Sequence, residues 1–147
     1  MSSQTFPKQQ HLRRPAEFDR VYKFRCSARG RRVLIFAAPN DLSHPRLGLS
    51  VSKKHGGAVV RNRIKRLLRE TFRLTRDLWP AGCDYVIVPQ DFKGATLREL
   101  QSDLPSLANQ ASRRADKKRR DELAAVAITV AASADTPLVS GRLNESN

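Results

Sequence analysis

Within the seventeen residues from Lys53 to Arg69 the chain carries Lys53, Lys54, Arg61, Asn62, Arg63, Lys65, Arg66 and Arg69, a set whose types suit one kind of chemistry. Guanidinium and ammonium groups are pure hydrogen-bond donors of fixed positive charge, so they hold phosphate oxygens but abstract no proton near neutral pH. Asn62 adds an amide able to bond a sugar, a base or neighbouring backbone. A hydrolytic centre needs other material: a nucleophile beside a base, paired carboxylates, or clustered metal ligands. His11, His44 and His55 are scattered, Cys26 and Cys83 form no C-x-x-C pair, H-E-x-x-H is absent, and the acidic residues lie mostly isolated among arginines. No catalytic residue, metal ligand or protein-bound cofactor is therefore expected on this chain.

The stretch "GLSVSKKHGGAVVRNRIKR" also lacks the G-x-x-x-x-G-K-[ST] spacing of a nucleotide-binding loop. What remains is general: glycines expose backbone N–H groups, and those at a helix N-terminus attract anions. Arg61 and Arg63 in the first turns of a helix oppose its dipole and cost the isolated helix a few tenths of a kcal/mol each, roughly. A bound phosphate reverses that sign. Charge alone is equally compatible with a solvated basic face.

The elements that must position these groups follow from periodicity. Residues 14–24, "RPAEFDRVYKF", place Pro15 at a first helical position, with Phe18, Val21, Tyr22 and Arg25 at helical spacing. Residues 33–38 and 47–51 are β-rich runs separated by the turn-forming "NDLSHP", which predicts neighbouring strands of one hairpin. From residue 58 to about 78, Val60, Ile64, Leu67, Leu68, Phe72 and Thr75 fall on one apolar arc, with Lys65, Arg66, Arg69, Arg73 and Arg76 opposite. "CDYVIVP", residues 83–89, is a third strand, and Leu97, Leu100, Leu104 and Leu107 describe a further helix interrupted or restarted at Pro105. Phe18 and Tyr22, at i and i+4, are set to face Phe36, either as plain core or as a stacking surface for unpaired bases.

Composition bounds the rest. The 147 residues suit one domain with tails: a leader at 1–10, a body at 11–120 and a C-terminal extension at 121–147, partly helical or disordered. A second basic block, "SRRADKKRR", precedes that extension. With 28 Lys and Arg against 14 Asp and Glu, the net charge of +14 calls for a polyanionic partner, nucleic acid first. The N-terminal "MSSQTFPKQQ" has no secretory apolar stretch, and the run at 124–132 falls short of the ~18–20 residues that span a bilayer, so a cytoplasmic protein without a membrane partner is expected.

The segment "GLSVSKKHGGAVVRNRIKRLLRETFR", with "RNR" at Arg61-Asn62-Arg63 followed by "IKRLLRE", closely resembles the signature of the protein subunit of bacterial ribonuclease P. The similarity runs from about His11 to Arg113 and includes "HLRRPAEFDRVYK" and "DYVIVP"; nothing after about Arg120 has a counterpart. The resemblance implies an α+β fold, a single-domain α-β sandwich of order αβββαβα with a left-handed βαβ crossover, and so an extra short strand near residues 26–30. It implies assistance to a catalytic RNA that endonucleolytically removes the 5′ leader of precursor tRNA, with magnesium required by the RNA-borne catalysis. Arg61, Asn62, Arg63, Lys65, Arg66 and Arg69 are implied to meet the catalytic RNA, together with Lys53 and Lys54 just before the helix. Phe18, Tyr22 and Phe36 match the aromatic positions of a central cleft for the leader. Three rivals predict otherwise: a general RNA-binding protein would not stimulate leader cleavage, a metal-dependent nuclease would cut unaided, and a DNA-binding protein would set the arginine helix in a major groove.

Overall fold

A proline at the first helical position gives up an N–H that would be unsatisfied anyway, and Pro15 opens helix α1 (Pro15–Phe24) in this way. The computed structural model describes the backbone of residues 7–145 and the side chains of residues 7–132. After α1 come β1 (Cys26–Arg29), β2 (Val33–Pro39), β3 (Arg46–Leu49), α2 (Ala58–Thr75), β4 (Cys83–Pro89) and α3 (Leu97–Glu145), the αβββαβα order. Of the leader, Lys8–Gln10 form a 3-10 turn and residues 1–6 lie outside the described part.

The four strands stand in the order β1-β2-β4-β3. The expected hairpin between residues 33–38 and 47–51 is not formed: β4 separates those strands, antiparallel to β2 and parallel to β3. The reason lies in β4, whose residues 83–87 are all buried; a strand apolar on both faces needs neighbours on both edges. β3 also ends at Leu49, and a buried Asp84 on β4 stands in register with Arg46. The hairpin that does form joins β1 to β2, so the short strand near residues 26–30 is present. Because β3 and β4 are parallel neighbours, α2 is the crossover between them.

Alternation sorts the strands into two faces. Val33, Ile35, Ala37, Tyr85 and Ile87 pack with Ile64, Leu68 and Phe72 of α2 and Leu100, Leu104, Leu107 and Ala108 of α3 into the main core. Phe72, Trp79 and Tyr85 stack edge to face there, with ring centroids 5.0 and 5.1 Å apart. The opposite face holds a smaller cluster of Leu12, Val21, Ala38 and Val86, covered by α1.

Two expectations about helices change. Pro105 does not interrupt α3, because Leu100, Leu104, Leu107 and Ala108 continue one buried stripe across it, offsetting the ~3 kcal/mol a mid-helix proline costs. Val60, placed by periodicity on the apolar arc of α2, is instead 38% exposed, while Ile64, Leu68, Thr71, Phe72 and Thr75 are buried. The chain divides into two units after Ala115. In the second, α3 runs on to Glu145 and Lys117 pairs with Asp121 at 2.9 Å.

Candidate nucleic-acid interface

The sheet face under α1 is only partly covered. Register aligns three rows across it: Ala38, Asp84 and Arg46; then Ser27, Phe36, Val86 and Gly48; then Arg29, Leu34 and Val88. α1 covers the first row and part of the second. Phe18 lies so close over Gly48 that a Cβ there would stand 2.7 Å from its ring. Tyr22 meets Phe36 edge to face at 5.0 Å. The third row and Phe36 of the second are left half open, with Leu34, Phe36 and Val88 partly exposed and Arg29 exposed. The structure thus brings Phe18, Tyr22 and Phe36 to one strip, each presenting part of its ring surface.

What holds α1 in that position is a charge cluster that escapes sequence reasoning. Asp84 is fully buried; it accepts from Arg46 Nε and Nη2 at 2.7 and 2.6 Å, from Asn40 Nδ2 at 2.8 Å and from Arg20 Nη2 on α1 at 2.5 Å. Burial pushes its carboxyl up, but the hydrogen bonds from Arg46, Asn40 and Arg20 and the Arg46 charge outweigh this and hold it below the ordinary aspartate value. Arg46 also reaches Glu17 of α1 at 3.3 Å. Glu17 accepts the backbone N–H groups of Arg13 and Arg14, which, with the Arg46 charge, lower its pKa despite partial burial. Arg46 and Asp84 are far from each other and from Glu17 and Arg20 in sequence, so only the strand register and the seating of α1 reveal the four as partners.

The turn carrying Lys53 and Lys54 is anchored at the half-open end of the sheet, where His55 Nε2 donates to the Pro89 carbonyl at 3.1 Å. On α2, Asn62, Lys65, Arg66 and Arg69 recur at three- and four-residue spacing and form one stripe. Asn62, Arg66 and Arg69 line a hollow of about 410 Å³ with His11, Glu70 and Arg73. Lys65 and Arg69 meet Phe18 and Leu47 around a small hollow of about 90 Å³, linking the basic stripe to the aromatic strip. Lys54 and Arg63 face a separate groove of about 500 Å³ beside the β4–α3 connection. Arg61 is half-buried and donates Nε to the Gly56 carbonyl at 3.2 Å. None of the eight predicted contacts takes part in the ion pairs that Arg20, Arg32, Arg46, Arg73 and Lys117 make with carboxylates.

Carboxylates are correspondingly committed elsewhere: Asp84 to Arg46 and Arg20, Glu99 to Arg32, and Glu70 to Arg73. Among the described residues no three His, Cys, Asp or Glu side chains gather where a metal ion could sit. Sequence reasoning missed Ser27 and Arg29; once β1 is registered on β2, alternation sets both on the Phe36 face.

An α+β sheet with one sealed face, one half-open aromatic face and a crossover helix whose cations stand outside the ion pairs suits an RNA-binding protein of the ribonucleoprotein type. The ribonuclease P family model matches residues 6–112, and the chain belongs to that family. It is 42% identical over 98 residues to the ribonuclease P protein component of Lachnoclostridium phytofermentans, covering 66% of this chain and 84% of that one. With the Petrotoga mobilis component it shares 31% identity over 115 residues, 75% of this chain and 98% of the other. Among solved structures, the Thermotoga maritima RNase P protein superposes with a TM-score of 0.62 at 28% identity, covering 67% of this chain and 96% of that one. A Staphylococcus aureus RNase P protein mutant gives 0.64 at 33% identity, covering 71% and 90%. The chain is thus a tRNA-processing subunit of a ribonucleoprotein endoribonuclease, with an RNA partner, and is not itself the catalytic part. No helix of the described residues is long and apolar enough to cross a membrane.

Proposed function

We propose that this chain divides its two exposed surfaces between two RNAs. The α2 stripe of Asn62, Lys65, Arg66 and Arg69, with Arg61, Arg63, Lys53 and Lys54, grips the phosphates of the catalytic RNA. The half-open sheet face, with Phe18, Tyr22 and Phe36, receives the unpaired 5′ leader of precursor tRNA. A single strand suits that face because its bases can stack on exposed ring surface, at ~1–3 kcal/mol per base, while Arg29 answers its backbone charge. Magnesium serves the RNA-borne chemistry and is held by the RNA; on this chain Asp84, Glu99 and Glu70 are already engaged by arginines and are a poor fit for it. The particle works in the cytoplasm, with residues 11–120 as its binding domain, residues 1–10 as leader and residues 121–147 as an extension.

The observation that carries this reading is the incomplete cover of one sheet face, which leaves Leu34, Phe36 and Val88 partly exposed beside Arg29. Phe36→Ala tests it in the assembled particle. Affinity for precursor tRNA should fall about 5- to 150-fold, the equivalent of ~1–3 kcal/mol of lost stacking, while mature tRNA binding stays unchanged. Equal losses for both would make Phe36 a packing residue and remove the leader from this face.

A further inference from the structure

Val60 and Leu67 lie on the apolar arc of α2, yet Val60 is exposed and Leu67 only half-buried. Both open onto the groove of about 500 Å³ between the start of α2 and the β4–α3 connection, with Phe92 across from them. Lys54, Arg63 and Lys93 also line it, with Asp91 as the acidic member. The volume is that of a small-molecule pocket, and the lining joins an apolar floor of Val60, Ile64, Leu67 and Phe92 to a rim of charged and polar groups of about equal weight.

The groove is built in advance of any ligand. Arg32 is buried and its guanidinium donates Nη1 to the carbonyls of Asp91 and Lys93 at 3.0 and 2.6 Å, while Nε pairs with Glu99 at 2.9 Å. That fork fixes the connection that carries Phe92 and Lys93. The facing wall is fixed by the His55 hydrogen bond to Pro89 and by Gly56, whose φ of +133° and close approach to Val60, 3.0 Å from a would-be Cβ, make any side chain there strained.

We propose that this groove takes one unstacked nucleotide of the RNA partner, its base against Val60, Leu67 and Phe92 and its phosphate among Lys54, Arg63 and Lys93. Duplex RNA presents phosphates and 2′-hydroxyls outward and keeps its base faces stacked, so it uses the cations and leaves the apolar floor wet. An extruded nucleotide uses both. The same floor beside three cations is poorly suited to a basic or neutral peptide segment. The inference rests on the proposal that α2 grips RNA, and adds a discrete pocket to that grip.

Val60→Trp fills the groove from an exposed position, and Lys93→Ala removes a rim charge from an exposed loop; neither touches the core. Each variant is assembled with a bacterial catalytic RNA, and base and ribose reactivity is mapped along the RNA. With the wild-type chain, one unpaired nucleotide should become protected on its base. Val60→Trp should abolish that protection and weaken assembly about tenfold, while protections elsewhere persist; Lys93→Ala should weaken it in part. Unchanged reactivity and affinity in both variants would overturn the pocket, as would a uniform loss of all protections in a variant whose thermal unfolding is native, or a protected nucleotide insensitive to Val60→Trp. If the wild-type chain protects no nucleotide at all, the RNA grip of α2 itself fails, and the pocket with it.

Discussion

Asp84→Asn tests what positions the aromatic strip. The carboxylate is fully buried and accepts four hydrogen bonds at 2.5–2.8 Å, three of them from guanidinium groups of Arg46 and Arg20. The amide keeps one oxygen as an acceptor but turns an NH₂ toward arginine donors, so at least two charge-assisted bonds of ~1.5–3 kcal/mol each are lost. The loss is discounted because the Arg20 side chain is 45% exposed and that of Arg46 21%, so both can rehydrate, leaving a net cost of about 2–3 kcal/mol. In urea unfolding the midpoint should fall with an unchanged slope, and the melting temperature should drop by roughly 6–15 °C. Since Arg20 and Glu17 tie α1 to this cluster, leader affinity should fall more than affinity for the catalytic RNA. The folded pKa of Asp84 is depressed, so its contribution is present above the unfolded value and lost as pH drops below ~4 through the folded value. Asp84→Asn should therefore lose less stability than wild type between neutral pH and pH 3. A stability change under ~0.5 kcal/mol, or an acid limb identical to wild type, would refute the role given to this cluster.

Two further outcomes follow from close contacts and from charge. Gly48→Ala sets a Cβ 2.7–2.8 Å from the Phe18 ring, which should displace that ring at a cost of about 1–3 kcal/mol and weaken leader binding; a wild-type melting temperature with wild-type leader affinity would contradict the close packing. Arg69→Ala should weaken assembly with the catalytic RNA and reduce the slope of log affinity against log salt by about one unit or less, read from titrations at several salt concentrations, whereas an unchanged slope removes Arg69 from the RNA contact.

The strands and helices were largely legible because each carries its own period. Ile64, Leu68 and Phe72 recur at helical spacing and are buried where that spacing sets them. Strand order was not legible. The turn residues at 40–45 argue locally for a hairpin, but partner choice was settled by β4, whose two-sided burial requires the central place. Its near-continuous apolar run was the available signal. The cations of α2 were readable from sequence, yet Arg20 and Arg46 counted toward the same surplus although both turn inward to Asp84. Composition cannot tell a charge held by an internal partner from one left for RNA. Val60 shows the converse: an apolar residue at a core-like spacing stands exposed, because the crossover helix begins beyond the edge of the core and over a groove.

Cleavage of precursor tRNA by a bacterial catalytic RNA, measured with and without the purified chain at near-physiological magnesium, bears most directly on the whole reading. Addition of the chain should accelerate release of the 5′ leader, and the chain alone should release none. Cleavage by the isolated chain, or an unchanged rate with a competent RNA, would contradict it.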